Sequence, residues 1–189
     1  MSKFYYYFGN MRSQKSMQLI ATVHSFKEKG KKCLLFKPAT DTREQRYVKS
    51  RALKTTYECT DLTQDTFEIV KMAQPHYVFI DECQFASKED IDMLARIVDE
   101  LQIPVFAYGL LVDYRGQLFE GSKRLVELAD SIREIKSICD RCDSKAKMHL
   151  LKVDGQPKFD GDGIFVGDLE FESLCRKCYI NIRKEGNNQ

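Results

Sequence analysis

Lys3-Phe4-Tyr5-Tyr6-Tyr7-Phe8-Gly9-Asn10-Met11-Arg12-Ser13-Gln14-Lys15-Ser16 is the stretch whose reading decides the fold. Its aromatic run favours a buried strand, and Gly9-Asn10 ends that run in a turn. From Lys15 the period changes. Met17, Leu19, Ile20, Val23 and Phe26 recur near 3.6 residues, so a helix opens at Lys15 and stops at Gly30. Strand and helix thus frame residues 9–16 as G-x-x-x-x-G-K-[ST], with Gln14 in place of the second glycine. In such a frame the backbone N–H groups of Gly9, Asn10, Met11, Arg12, Ser13 and Gln14 turn around phosphate oxygens. Lys15 reaches the β/γ oxygens of a nucleotide and the Ser16 hydroxyl faces Mg²⁺. Gln14 puts a side chain where the backbone normally uses glycine's freedom, so it is expected to strain the loop or crowd a phosphate.

Outward from this stretch the chain keeps an alternating rhythm. Residues 32–36 read as a second strand with Pro38 at its exit, and 40–60 as a polar, weakly patterned loop. Residues 62–73 read as a helix, and His76-Tyr77-Val78-Phe79-Ile80-Asp81 is the clearest strand of the chain. Ser87 caps an amphipathic helix through Leu101, on the pattern Ile91, Leu94, Ile97, Val98, Leu101. A strand over 103–110, a short helix over 122–129 and a strand over 132–138 follow. This order predicts an α/β fold, a P-loop NTPase-like parallel sheet flanked by helices. In such proteins an acid closing a strand after the loop holds the Mg²⁺ shell, and the next acid can take the acceptor's proton. Asp81 and Glu82 occupy those places; a solvated strand end is the plainer alternative.

The chain has 189 residues, 43% hydrophobic and 31% charged, with a net charge of +2, which argues against disorder and gives no general case for nucleic-acid or membrane binding. No run approaches the ~20 apolar residues of a membrane span, and the N-terminus lacks the apolar core of a signal peptide; the cytoplasm is the expected location. The odd total of seven cysteines argues against a disulfide framework. Four of them form two CxxC pairs, Cys139/Cys142 and Cys175/Cys178, the spacing of a closed tetrahedral, structural Zn²⁺ site, with a redox pair or four free thiols as the alternatives. The glycine-bearing segment between the pairs has few apolar residues, and zinc at both ends would make it a lasso able to close over a ligand. The expected organisation is a P-loop α/β nucleotide-binding domain over 1–138, a small C-terminal zinc-ribbon or lasso domain over 139–183, and a frayed tail over 184–189.

Four blocks spread along the whole chain carry a more specific resemblance: G-N-M-R-S-Q-K-S (9–16), D-E-C-Q-F (81–85), Y-G-L-L-V-D-Y-R-G-Q-L-F-E-G-S (108–122) and L-C-R-K-C-Y (174–179). Together with D-T-R (41–43) and K-S-R (49–51), they resemble the zinc-containing thymidine kinases of the human cytosolic, enteric bacterial and phage type. The resemblance implies ATP as phosphate donor and thymidine or deoxyuridine as acceptor, with Glu82 as catalytic base and Asp81 as second Mg²⁺ contact. It implies that Phe85, Tyr114, Arg115, His149, Val166, Gly167 and Phe171 bind substrate. It also implies a homotetramer and feedback by thymidine triphosphate. Three positions depart from the family: Gln14 for the loop glycine, His149 for a common threonine, and Asp168 for a common glycine. Core packing is the plain alternative for Phe85, Tyr114 and Phe171. The alternative to a kinase is a homologue weakened at Gln14 that binds nucleoside without turnover. A kinase for another deoxynucleoside and a zinc ribbon on nucleic acid stand further off.

Overall fold

Strand β1 (Phe4–Gly9) has its aromatic rings alternating between the two faces of a sheet. The computed structural model describes residues 1–39, 47–49, 55–161 and 170–186. After the phosphate loop come α1 (Lys15–Glu28), β2 (Cys33–Pro38), the short strands β3 (Tyr47–Lys49), β4 (Thr56–Glu58) and β5 (Thr60–Leu62), and α2 (Thr66–Ala73). Then follow β6 (Tyr77–Ile80), α3 (Lys88–Leu101), β7 (Val105–Gly109), α4 (Glu120–Leu128) and β8 (Ser131–Ile135). The chain closes with β9 (Met148–Val153), β10 (Gln156–Lys158), β11 (Glu170–Leu174) and α5 (Arg176–Gly186).

Six strands pair in parallel in the order β5-β2-β6-β7-β1-β8, so β7 lies between the strand that enters the phosphate loop and the strand that leads into Asp81. Phe4 and Tyr6 point into the core under α2, α3 and α4, beside Ile80, Ile91, Leu94 and Val105. Tyr5 and Tyr7 point the other way, against α1. There Tyr5 stacks on Phe106 at 4.7 Å and Tyr7 on Tyr108 at 4.8 Å between ring centroids, arrangements that add to plain area burial. α3 begins as its sequence predicts, since the Ser87 hydroxyl accepts from Asp90 N and the Asp90 carboxylate accepts from Ser87 N, closing a capping box. None of the helices among the described residues is long and apolar enough to cross a membrane.

The structure corrects several expectations. Within 40–60, β3 and β4 pair as an antiparallel hairpin with Val48 wholly buried, and β5 extends the main sheet by pairing with β2. Strands of three residues carry too little alternation to be read, and β5 exists because β2 offers an open edge. Leu62 therefore belongs to a strand, and α2 starts at Thr66, whose hydroxyl accepts from Thr63 N. α4 begins at Glu120 rather than Ser122, with Gly121 packed so closely that an added Cβ would lie 2.5 Å from Ala86 O. β8 stops at Ile135, before the first cysteine pair. Of the expected frayed tail, 184–186 continue α5, which Tyr179 and Ile182 anchor against Leu150 and Leu174, and 187–189 lie outside the described residues.

Candidate active site

The phosphate loop is held at both ends by features visible in its sequence. Gly9 has no room for a side chain, since a Cβ there would meet Ser13 and lie 2.7 Å from Ile135 O. The loop turns on a Ser13 N to Asn10 O bond of 3.1 Å, and Lys15 Nζ donates to Asn10 O at 2.8 Å. Gln14 adopts φ 64 and ψ 28, the left-handed conformation that glycine takes without cost. Arg12, two residues earlier, is left-handed as well at φ 61. Two non-glycine residues in this region cost about 1–2 kcal/mol each. The loop therefore carries strain at Arg12 and at Gln14, where its motif would place glycine. The Ser13 hydroxyl is buried without a hydrogen-bond partner, a donor left open inside the loop.

The acids of the second motif meet the loop across β7. The Ser16 hydroxyl donates to Asp81 Oδ2 at 3.2 Å, and Asp81 is buried at the end of β6. Burial first and the Glu82 charge second raise the Asp81 carboxyl to about 7, against the pull of Lys37 and Lys15. A hydroxyl paired with a buried carboxylate is a donor set that suits Mg²⁺. Glu82 turns out of the strand at φ 51. Gln84, which sequence reasoning missed, fixes it there: the amide donates to Glu82 Oε2 at 2.7 Å while its oxygen accepts from Leu110 N at 3.0 Å. A buried glutamine two residues after the acid, inside the quoted D-E-C-Q-F block, was the available signal.

The residues expected around the nucleoside fall into two groups. Phe85 meets Phe119 edge-on at 5.9 Å, beside Glu82. Tyr114 and Arg115 instead tie the core to the chain that leads into 162–169. The Tyr114 hydroxyl donates to Asp160 O at 3.0 Å, and Arg115 donates to Gly161 O at 2.9 Å and to Asp113 at 2.7 Å. Phe171 is half-buried on β11, opposite Leu151. Val166, Gly167 and Asp168 lie outside the described residues, as do residues 41–43, 50 and 51.

Cys139, Cys142, Cys175 and Cys178 converge so that their sulfurs lie within 4.8 Å of one another, with Cys142–Cys175 at 3.7 Å and Cys142–Cys178 at 3.8 Å. Zn–S bonds of ~2.3 Å put the corners of a tetrahedron about 3.8 Å apart, so the four thiols suit zinc. Their turns are braced by backbone bonds from Cys139 N to Ser144 O at 2.9 Å and from Cys178 N to Cys175 Sγ at 3.4 Å.

His149 lies on β9, buried, with Nδ1 accepting from the phosphate-loop amide of Met11 at 3.4 Å. Burial first, and Lys15 second, lower its imidazole to about 3. The folded protein thus keeps the ring neutral where the unfolded chain takes up a proton. Stability is then lost as pH falls from ~6.5 toward 3, by up to ~1.4 kcal/mol per pH unit. Urea midpoints measured from about pH 7 to 5.5 should fall more steeply for wild type than for His149→Gln. Parallel curves would show that the ring is not held neutral.

A groove of about 590 Å³ opens on the outer side of the phosphate loop, lined by Arg12, Gln14, Met17, Gln18, Ile135 and Ile138 among others. Sequence reasoning did not find it, because it joins the start of α1 to the end of a strand far along the chain. Phosphate loop, paired acids, four-cysteine cluster and groove share one end of the parallel sheet. A family model for thymidine kinase matches residues 2–179. A thymidine kinase of Streptococcus agalactiae serotype Ia is 41% identical over 187 residues, which span 96% of this chain and 98% of that protein. A thymidine kinase of Streptococcus pyogenes is 40% identical over 186 residues, with the same coverage of both chains. The chain belongs to the thymidine kinase family.

Proposed function

We propose that this enzyme transfers the γ-phosphate of ATP to the 5′-hydroxyl of thymidine or deoxyuridine in nucleotide salvage. The observation that carries the reading is the hydrogen bond of Ser16 to Asp81, which brings the phosphate loop and the acidic strand end into one site. In this mechanism Lys15 and the amides of residues 9–16 cradle the triphosphate and spread the charge that develops on the transferring group. Ser16 and Asp81 would hold Mg²⁺, which when bound neutralises charge on the β- and γ-oxygens. Glu82, kept at the strand end by Gln84, accepts the 5′-hydroxyl proton as the oxygen attacks in line. Phe85 flanks the nucleoside, while Tyr114 and Arg115 hold residues 160 and 161 at the start of the segment that covers it. His149, Val166, Gly167 and Phe171 complete the proposed acceptor site.

The four cysteines would hold a structural zinc that supplies no chemistry to the transfer. Residues 139–183 act in this reading as the module that closes over the acceptor and excludes water, and the outer groove takes the adenosine of ATP. A cytoplasmic homotetramer under feedback by thymidine triphosphate belongs to the same reading.

The weakened-homologue alternative rested on Gln14. Gln14 takes the left-handed conformation open to the glycine it replaces, which supports turnover. The test is thymidine phosphorylation by zinc-replete protein with Mg·ATP, beside Gln14→Gly. Wild type should turn over, and the glycine variant should be stabilised by ~1 kcal/mol with kcat/KM for ATP raised by no more than about tenfold. Activity in the variant alone would return the chain to a binding role. No phosphorylation by either would end the kinase proposal.

A further inference from the structure

Both polar groups flanking Met11 in the phosphate loop are engaged by the C-terminal module. Ser173 Oγ donates to Met11 O at 2.8 Å, and Met11 N donates to His149 Nδ1 at 3.4 Å. Ser173 and His149 are direct partners in the β9–β11 ladder, so one rung of that small sheet grips one residue of the loop. The side chains of both are buried and the serine bond is the shorter. Ser173 is in turn pinned by the first cysteine turn, since its N–H donates to Asp140 Oδ2 at 2.7 Å and its carbonyl accepts from Asp140 N at 2.8 Å. Asp140 lies between Cys139 and Cys142. A continuous line of hydrogen bonds thus runs from the four-cysteine cluster through Ser173 to the residue just before the two left-handed positions, Arg12 and Gln14.

We infer that Ser173 and His149 are positioning residues for phosphoryl transfer: they clamp the Met11 peptide units and so hold a strained, glycine-poor phosphate loop in its nucleotide-binding shape. A loop with two non-glycine residues left-handed persists only where its surroundings over-determine it. On the C-terminal side those surroundings are this rung. The role deepens the proposed kinase reading and rests on it. It also gives the cysteine cluster a second task, since the cluster orders Asp140, Asp140 sets Ser173, and Ser173 sets the loop.

The test is Mg·ADP binding by calorimetry, without thymidine, on zinc-replete wild type, Ser173→Ala, Gln14→Gly and the double variant, with zinc content and melting temperature measured for each. Ser173→Ala should weaken Mg·ADP binding by roughly five- to thirtyfold, the scale of one hydrogen bond to a buried group, with zinc content unchanged. In the Gln14→Gly background, where the strain is relieved, the same substitution should cost less than about threefold. A purely structural serine would cost the same in both backgrounds, and that result overturns the inference, as does an unchanged affinity in Ser173→Ala. If Ser173→Ala does not fold, His149→Gln takes its place with the same expected rescue by Gln14→Gly and the same overturning outcome. Failure of wild type to bind Mg·ADP would count against the kinase reading itself and is distinguishable from both.

Discussion

Glu82→Gln lowers kcat by roughly 10²–10⁴-fold, the size of a lost general base, and leaves the Kd of Mg·ATP unchanged. The substitution is close to isosteric, and its amide oxygen can accept the bond that Gln84 Nε2 now donates to Glu82 Oε2. Loss of packing or of the left-handed turn at this position is therefore excluded as a cause. Rapid-quench measurement of the chemical step separates the proton-transfer role from product release. A loss smaller than tenfold would make Glu82 an orienting group, and the acceptor proton would have to leave through solvent.

Stripping zinc with a chelator, or replacing Cys142 by Ser, should unfold the C-terminal module while the parallel sheet survives. A structural zinc contributes ~10–16 kcal/mol in small zinc domains, as much as the entire stability of an ordinary domain. The module has little to set against that loss. Its own core is Leu150, Leu174, Tyr179, Ile182 and two of the cysteines themselves, Cys139 and Cys175. The main sheet has separate cores on its two faces, built on Phe4, Tyr6, Ile80 and Leu94 on one and on Leu19, Val23 and Phe79 on the other. Hydrogen exchange reads the difference. Amides of β9 and β11 should lose protection on chelation, whereas those of β1, β6 and β7 keep theirs. Retained protection in β9 would show that the four thiols do not carry the module's stability.

What could be read from the sequence was what depends on neighbours in the chain. Phe4–Phe8, the loop and the first turns of α1 form one local unit, and their residue types define it. The same holds for Val78–Glu82 and for Ser87 with Asp90. The two CxxC pairs were legible because ligand spacing is itself the signal. The hairpin of β3 and β4, and β5 beside β2, were not. Their residues are polar, their strands are three residues long, and what makes them strands is a partner elsewhere. Site residues divide in the same way. Lys15, Ser16, Asp81 and Glu82 lie in motifs, whereas Gln84 acts on Leu110 and Ser173 acts on Met11 through folded distance alone. His149 could be placed in the acceptor segment by resemblance, but its bond to the loop amide follows only from the pairing of β9 with β11.

The seat of β7 between β1 and β6 has a further consequence. Neighbouring strands stand ~4.8 Å apart, so the strand that leads into the phosphate loop and the strand that leads into Asp81 are held two such steps apart, roughly 10 Å, by amide-to-carbonyl bonding. That spacer is a fixed gauge. Repacking of either core by substitution changes how firmly the sheet is backed, but it does not alter the width of a hydrogen-bonded strand. The top of the gauge is tightly packed. At Gly109 a Cβ would lie 2.5 Å from Gln84 Oε1 and 2.6 Å from Cys83 Sγ, so the strand ends there in bare backbone. The spacing of these two strand ends is consequently insulated from drift in the hydrophobic residues, and polar side chains such as Gln84 and Ser173 set what is held at each end.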